Sequence, residues 1–388
     1  MQTPIDLPSP EPDALAHSAH VTRVVIERVA AAGGFLGFAD YMDAVLYAPG
    51  LGYYSAGAPK FGAAGDFITA PELGGVFARC LARPVRAALA ELGGGTVVEV
   101  GGGTGALAAG LLHALQESPP DRYLLLEVSA ELRERQQRTI ADKVPGLLSR
   151  VSWLDALPEG GLQGVLVANE VLDALPVERF RWRSGRVYRL GVGVEQGRLA
   201  WVEQLATPEL DAAVREVQTT LGSPFAEGHV GEIGLRQRAW LQALLGSFTR
   251  GLALFIDYGG SRRDIHGSGR EGGTLSCFYR HRRHDDPFFL PGLQDITAWV
   301  DFSAAAEAAR QAGWDLVSYA TQAHMLLACG VLGEAEVGIA DADRLREAQQ
   351  IQRLLLPGEM GERFKLLALA REYQPGFALA VRDLRERL

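Results

Sequence analysis

The segment VVEVGGGTGALA (residues 97–108) carries the residues whose types and spacing are best suited to chemistry. Gly101, Gly103 and Gly105 follow a short apolar run that predicts a strand. Glycines at these positions let the chain turn tightly and let a ligand approach the backbone without meeting a Cβ atom. The segment therefore predicts a ligand-binding loop or, as the plainer alternative, a glycine-rich turn.

An acidic residue two positions before the loop bears on the identity of the ligand. Gly101, Gly103 and Ala106 also satisfy the dinucleotide fingerprint in its alanine form, with Glu127 in range of a ribose hydroxyl, so a dehydrogenase is an alternative. Glu99 would repel a pyrophosphate but would form an ion pair with the ammonium of a methionine group. The pattern therefore favours S-adenosylmethionine as the cofactor.

Acidic residues recur where the following predicted strands end, which is the edge at which open parallel sheets bind ligands. Glu127 could accept hydrogen bonds from both ribose hydroxyls, and Asp155 from the adenine amino group. Asn169 and Glu170 follow the fourth strand, with Asp173 shortly after, and these groups suit a cationic acceptor such as a guanidinium. The alternatives are solvated acids at strand ends and, for Asn169 and Glu170, caps of a following helix.

Strands alternate with helical patterns along this part of the chain, which predicts an α/β fold with a mostly parallel sheet and helices on both faces. Near-alternating apolar residues from Glu178 to Gln204 predict an antiparallel β meander inserted after the fourth strand, followed by helices. The predicted parts are a flexible segment 1–20, an N-terminal helical region 21–92, a first part of the core 93–177, the insertion 178–250, and a second part of the core with C-terminal helices 251–388.

Composition narrows the class of protein. The 388 residues are 47% hydrophobic and 22% charged, which is typical of a globular chain with a sizeable core. A net charge of −9 disfavours nucleic-acid binding, and no apolar run is long enough to span a membrane. Cys80, Cys277 and Cys329 form no CxxC pair, which indicates a reducing compartment. The acidic N-terminal residues, with Arg23 as the first arginine, predict a cytoplasmic location.

Five motifs resemble the signatures of the MidA family of S-adenosylmethionine-dependent methyltransferases. They are GDFITAPEL (65–73), VVEVGGGTGALA (97–108), VANEVLDALPVERF (167–180), FIDYG (255–259) and GTLSCFYRHRRHDDPFFLPGLQDITAWVDF (273–302). The resemblance runs in order from about Gly34 to the C-terminal helices. It implies the seven-strand, class I methyltransferase fold, and mitochondrial members of the family methylate an arginine of a respiratory complex I subunit.

The resemblance also implies roles for individual residues. Gly101, Gly103 and Gly105 would cradle the cofactor, Glu127 would hold its ribose, and Asn169 and Glu170 would border the methyl acceptor. The residues of the N-terminal region that would close over the site as a lid are Asp66, Phe67 and Thr69.

His281 and His284, with Asp285 and Asp286, have the side-chain types of a metal site. Methyl transfer from a sulfonium needs no metal, so we expect none here. His281 is predicted to line the acceptor channel, and a solvated basic loop is the alternative.

Taken together, the sequence predicts a methyltransferase that modifies an arginine of a protein partner, by direct attack of the acceptor nitrogen on the methyl carbon. Two alternatives stay open. The acceptor could be a small molecule or another protein atom, or the chain could be a cofactor-binding assembly factor without turnover.

Overall fold

The computed structural model describes residues 7–56, 69–333 and 341–388, apart from the side chains of 341–343. Contacts divide the chain into two compact units. Unit 1 comprises Met1–Phe67, Leu172–Arg238 and Gly260–Asp301, and unit 2 comprises Ile68–Val171, Ala239–Gly259 and Phe302–Leu388. Each unit is therefore assembled from three separate stretches of sequence.

The helices and strands are numbered in chain order. The helices are α1 (Pro12–Ala31), α2 (Phe38–Tyr47), α3 (Gly75–Leu92), α4 (Ala106–Ala114), α5 (Ala130–Lys143), α6 (Pro208–Leu221), α7 (Leu235–Gly246), α8 (Arg262–His266), α9 (Phe302–Gln311), α10 (Gln322–Ala328) and α11 (Asp341–Leu355). The strands are β1 (Leu36–Gly37), β2 (Thr96–Val100), β3 (Arg122–Leu126), β4 (Val151–Leu154), β5 (Leu162–Asn169), β6 (Glu178–Arg183), β7 (Arg186–Glu195), β8 (Arg198–Leu205), β9 (Val230–Ile233), β10 (Phe248–Gly260), β11 (Ser276–Tyr279), β12 (Arg282–His284), β13 (Asp295–Thr297), β14 (Val300–Asp301), β15 (Asp315–Thr321) and β16 (Phe364–Arg371).

A mostly parallel sheet forms the centre of unit 2. Seven of its strands, all within the described ranges, run in the order β15-β16-β10-β5-β2-β3-β4. β2 pairs in parallel with β3 and β5, and β10 continues the parallel arrangement beside β5. β16 is antiparallel to both of its neighbours. The mostly parallel sheet predicted from the alternation of strands and helices is confirmed.

Burial on both faces explains why the strands of this sheet are apolar along their length. Val97, Val165 and Leu252 are fully or almost fully buried in one hydrophobic cluster with residues of α3 and α4, such as Leu81 and Leu112. Strands covered on both faces need apolar side chains at consecutive positions. The sheet is therefore a rigid support for the residues that follow its strands.

Unit 1 contains the predicted antiparallel meander, formed by β6, β7 and β8. Its two turns, Ser184–Gly185 and Gln196–Gly197, have positive φ angles at both positions (51° and 75°, 50° and 77°). Two-residue turns of this kind match the twist of the flanking strands. The predicted antiparallel meander is confirmed.

A second, three-stranded sheet of unit 1 has the order β12-β11-β13. A tight turn at Arg280 and His281 joins β11 to β12, with φ angles of 47° and 61°. Helices α1 and α2 contribute Val21, Phe38 and other residues to a hydrophobic cluster that also contains Cys277 of β11.

Three expectations differ from the structure. The C-terminal segment is expected from the sequence to be helical but contains β16. Its run FKLLALAR is apolar at consecutive positions, so the sequence pattern alone does not distinguish a strand from a helix. The aromatic segment after Gly34 has no sustained sequence period of two or 3.6 residues and therefore predicts a loop, but it contains α2. The sequence after Gly260 begins with a polar stretch that predicts a loop, but residues 260–301 contain α8 and the three-stranded sheet.

The compact units also follow boundaries other than the predicted parts. Helix α3, grouped with region 21–92 in the prediction, belongs to unit 2, and residues 260–301, grouped with the core, belong to unit 1. None of the helices in the described stretches combines the length and apolar character that a bilayer-spanning helix requires.

Candidate functional site

The register of the parallel sheet brings three predicted site residues to one edge of unit 2. Val100 at the end of β2 pairs with Leu126 of β3 and Ala168 of β5. The next residues, Gly101, Glu127 and Asn169, therefore stand side by side. Neighbouring strands lie about 4.8 Å apart, so these residues are within reach of one small ligand.

The glycine loop adopts a backbone conformation that only glycine accepts easily. Gly101, Gly103 and Gly105 have φ angles of 65°, 52° and 83°. A Cβ atom on Gly101 would lie 3.0 Å from Val171, and one on Gly105 would lie 2.9 Å from the Cα atom of Gln136. The loop is therefore a tight cradle that leads directly into α4, whose first amides have no acceptors within the helix.

Glu99 is buried on β2, where only 2% of its surface is exposed. The Tyr123 hydroxyl donates a hydrogen bond to its Oε2 atom. Burial raises the pKa of Glu99 to about 7; the Tyr123 hydrogen bond opposes this increase and the charge of Glu127 adds to it. A cation near the carboxylate would lower that pKa and would bind to the ionised form.

Glu127 follows β3 and is held by several hydrogen bonds. Its Oε1 accepts from the backbone N–H of Ser129 at 2.9 Å, and its Oε2 accepts from Nε2 of Gln136 at 3.0 Å. Burial raises the pKa of Glu127, although these hydrogen bonds oppose the increase. The Glu127 N–H donates a hydrogen bond to the Leu154 carbonyl at 3.0 Å, so the pairing of β3 with β4 continues beyond Leu154. The exposed Asp155 therefore lies beside Glu127 at this edge of the sheet.

Several residues around this carboxylate were not identified from the sequence. Gln136 lies in the middle of α5 and Trp153 lies in β4, and they bond to each other through Oε1 and Nε1 at 2.9 Å. Val128, the residue after Glu127, is a large apolar side chain that is 66% exposed. The sequence feature that could have identified Gln136 is its spacing of four residues from both Leu132 and Ile140, which places this polar residue on the buried face of α5.

Glu170 has an unusual backbone conformation for a glutamate. Its φ angle is 55°, and its N–H donates to the Ile256 carbonyl of β10 at 2.8 Å. Its Oε1 accepts hydrogen bonds from Nδ2 of Asn169 at 3.2 Å and from the Ala70 N–H at 3.4 Å. The Asn169 Oδ1 atom is buried and, within the part of the chain that the structure describes, accepts no hydrogen bond.

The turn after Glu170 depends on Asp257, another residue that sequence reasoning did not single out. Its carboxylate is 1% exposed and accepts from the N–H groups of Val171 at 3.0 Å and Tyr258 at 2.8 Å. Residues 171–177 contain a turn at Asp173 and Ala174 but no helix. The alternative in which Asn169 and Glu170 cap a following helix is therefore wrong.

Of the predicted lid residues, Asp66 and Phe67 lie outside the described residues. Thr69 immediately precedes a short 3₁₀ helix, Ala70–Leu73, whose Glu72 accepts a hydrogen bond from the Thr104 hydroxyl of the glycine loop. The segment after Thr69 thus contacts both the loop, through Glu72, and Glu170, through the Ala70 N–H.

Two further predicted site residues belong to unit 1, whereas Asn169 and Glu170 belong to unit 2. Asp173 is buried, and its carbonyl accepts from the Ala298 N–H at 3.0 Å. His281 is exposed in the turn between β11 and β12. In the described stretches, no three His, Cys, Asp or Glu side chains are arranged to bind a metal ion.

Comparison with known proteins decides between the ligands that the glycine loop could hold. Residues 78–320 match the model of a family described as S-adenosyl-L-methionine-dependent methyltransferase. The chain belongs to this family. The resemblance to the MidA methyltransferases is thereby confirmed, and S-adenosylmethionine is the cofactor of this methyltransferase.

Relatives and solved structures agree with this assignment. The methyltransferase is 30% identical to the mitochondrial protein arginine methyltransferase NDUFAF7 of Mus musculus over 85% of this chain and 80% of that protein. It is 27% identical to the Drosophila melanogaster homologue over the same shares. A Burkholderia thailandensis protein solved with bound S-adenosyl-homocysteine has a TM-score of 0.93 and 43% identity over 99% of this chain and 100% of that one. The class I methyltransferase fold is confirmed.

The residues at the strand edge fit this cofactor. A Cβ atom would be crowded at Gly101, 3.0 Å from Val171, and would collide at Gly105, 2.9 Å from Gln136, so the loop is built from backbone at both positions. Glu127 offers oriented carboxylate oxygens to a diol, and the buried Glu99 gains a counterion when a cation is near. A pyrophosphate would meet the buried carboxylate of Glu99 here, which disfavours the dinucleotide alternative.

Proposed function

We propose that this methyltransferase transfers a methyl group to a guanidino nitrogen of an arginine in a protein partner. The observation that carries the proposal is Glu170, whose backbone φ angle is 55° and which lies at the same edge of the sheet as the glycine loop. A non-glycine residue in this region costs about 1 kcal/mol or more, and such strain is concentrated at functional sites. A carboxylate is the group that a guanidinium binds most strongly.

In this proposal the cofactor lies against the carboxyl edge of β2, β3 and β4. The glycine loop supports it through the backbone, Glu127 binds the ribose hydroxyls, Glu99 offsets its positive charge and Asp155 accepts from the adenine amino group. Bound S-adenosylmethionine supplies a methyl group on a positively charged sulfur that leaves as a neutral thioether. The residues assigned to the cofactor are Glu99, Gly101, Gly103, Gly105, Glu127 and Asp155, with Asp66, Phe67 and Thr69 as the lid.

Glu170 binds the guanidinium of the acceptor and draws its positive charge toward the two nitrogens that do not react. The third nitrogen keeps more of its lone pair and becomes the better nucleophile. The buried Oδ1 atom of Asn169 accepts a hydrogen bond from an N–H of the guanidinium, which fixes the orientation of the guanidinium. In this proposal Glu170 also accepts the proton that the nitrogen loses once it carries the new methyl group. Asp173, predicted as a catalytic residue, and His281, predicted as a substrate-binding residue, both belong to unit 1, and their roles stay predictions from the sequence.

The names of the relatives support an arginine acceptor, because the Mus musculus and Drosophila melanogaster proteins are both called protein arginine methyltransferases. Both are also called mitochondrial. We propose a protein partner for the present chain, with a respiratory complex subunit as the first candidate. The cytoplasmic location stays a prediction from the sequence.

Proteome-wide mass spectrometry tests the proposal directly. A strain that lacks this chain is compared with the same strain complemented by the wild type, by Glu170→Gln or by Glu134→Gln. Glu134 is an exposed glutamate of α5 in the same unit, so the same substitution there serves as the matched control. We expect a methylarginine peptide that disappears in the deletion strain and returns with the wild type and Glu134→Gln but not with Glu170→Gln.

Binding of S-adenosylhomocysteine separates a loss of chemistry from a loss of the fold. Glu170→Gln should bind it within about twofold of the wild type, because in this proposal the carboxylate holds the acceptor and not the cofactor. Loss of a methylated metabolite, or of a methyl group on another protein atom, in place of a methylarginine would refute the arginine proposal. Cofactor binding without any missing methyl group would favour the assembly-factor alternative.

A further inference from the structure

Gln136 of α5 is a polar residue at a position of the helix that packs inward. Leu132, Gln136 and Ile140 recur every four residues and are all buried, and Gln136 itself is 0% exposed. Burying a carboxamide is unfavourable unless its polar atoms form hydrogen bonds. Both the oxygen and the NH₂ group of its side chain therefore need hydrogen-bond partners.

The amide of Gln136 has such partners on three different elements. Nε2 donates to Oε2 of Glu127 at 3.0 Å and to the Gly103 carbonyl at 3.1 Å. Oε1 accepts from Nε1 of Trp153 at 2.9 Å. If the amide were reversed, its oxygen would face a carboxylate and a carbonyl, and its NH₂ group would face an indole N–H. Only one orientation is compatible with these neighbours.

Both the Cα atom and the side chain of Gln136 pack closely against the glycine loop. A Cβ atom on Gly105 would lie 2.9 Å from its Cα atom, and one on Gly102 would lie 3.1 Å from its Nε2 atom. One residue thus fixes the distance between α5 and the loop and also the direction of the Glu127 carboxylate.

We propose that Gln136 is a positioning residue for the cofactor, which holds the Glu127 carboxylate and the glycine loop in the geometry that binds the ribose. It acts through Glu127 and Gly103 and does not itself contact the cofactor. This role rests on the proposed binding of the ribose by Glu127, but it is independent of the acceptor that the methyltransferase modifies.

Replacement of Gln136 with glutamate tests the role with almost no change in shape. At a pH near 8 the new carboxylate would face Glu127 and the Gly103 carbonyl, and all of these groups are acceptors. The carboxylate of Glu127 would be turned away, and the affinity for S-adenosylhomocysteine should fall roughly 10- to 100-fold. At lower pH the two carboxyl groups can share a proton, which restores one of the lost hydrogen bonds.

The readout is the dissociation constant of S-adenosylhomocysteine, measured by titration calorimetry on the full chain at about pH 8 and about pH 6. Each value is divided by that of the wild type at the same pH, which cancels the titration of Glu99. We expect the ratio for Gln136→Glu to shrink several-fold at the lower pH. A ratio near one at both pH values, or a loss that does not depend on pH, overturns the proposal.

Gln322→Glu is the matched control. Gln322 is also 0% exposed in unit 2, and its Nε2 donates to the Leu354 carbonyl at 3.1 Å. The same substitution there should lower stability but leave the affinity unchanged. Equal losses of affinity in the two variants would show that Gln136 has only a structural role.

Trp153→Phe provides a second variant should Gln136→Glu fail to fold. It removes the N–H donor that fixes Oε1 of Gln136, together with one ring of the indole. We expect the affinity for S-adenosylhomocysteine to fall about threefold to tenfold, with kcat unchanged at saturating S-adenosylmethionine. Unchanged affinity in this variant would contradict the proposal.

Discussion

Alanine in place of Gly105 should be much more harmful than alanine in place of Gly93, although the two glycines have nearly the same backbone conformation. Their φ angles are 83° and 81°. A Cβ atom on Gly93 would meet nothing within 4 Å, whereas one on Gly105 would lie 2.9 Å from the Cα atom of Gln136. The left-handed conformation costs alanine about 1 kcal/mol at either position, net of the entropy that it removes from the unfolded chain. The collision at Gly105 adds roughly 1–3 kcal/mol, since the contact is with backbone and cannot relax by a rotamer change.

Denaturant unfolding of Gly105→Ala and Gly93→Ala measures the difference, and we expect Gly105→Ala to be less stable by about 1–3 kcal/mol. The same strain acts on Gln136, so titration calorimetry should show the affinity of Gly105→Ala for S-adenosylhomocysteine reduced about tenfold or more. Gly93→Ala should bind it like the wild type. Equal unfolding free energies for the two variants, or an unchanged affinity of Gly105→Ala, would refute the view that α5 packs tightly against the loop.

Two further predictions concern pH. Burial raises the pKa of Glu99 to about 7, above its value in the unfolded chain, so ionisation of this group lowers the stability of the fold as the pH rises from about 4.5 to 7. We therefore expect Glu99→Gln to increase the unfolding free energy above pH 7 by up to about 3 kcal/mol. The same variant should bind S-adenosylmethionine more weakly. Unchanged stability at pH 8 would show that Glu99 is not strained by its burial. Burial, with a smaller contribution from the charge of Arg262, lowers the pKa of His266 to about 4, so stability should fall by up to about 3 kcal/mol as the pH drops from about 6.5 to 4. His266→Gln should flatten that acid limb in pH-dependent unfolding, and an identical limb in the variant would contradict the assignment.

The glycine loop and the strands around it were predictable because their signals are local. An apolar run followed by Gly101, Gly103 and Gly105 determines a strand and a tight turn within about ten residues of chain. The acidic residues at the strand ends could be placed together because parallel strands end at the same edge. The turns of the meander carried their own signal in Ser184–Gly185 and Gln196–Gly197.

Features that depend on long-range contacts were not predictable in this way. Residues 260–301 join unit 1 through contacts such as Tyr54 to Asp295, a hydrogen bond of 2.9 Å across 241 positions, and Tyr41 to the Pro287 carbonyl at 2.6 Å. β16 was missed because burial on both faces removes the alternation that distinguishes a strand. Gln136 was missed because its importance comes from Gly103 and Trp153, which are distant from it in sequence.

A crystal structure of the complex with S-adenosylhomocysteine tests the central claim most directly. We predict the ribose hydroxyls at the carboxylate of Glu127, the amino acid moiety above the glycine loop on the side of Glu99, and the sulfur toward Glu170. A ligand found at another edge of the sheet, or a ribose without contact to Glu127, would contradict the account.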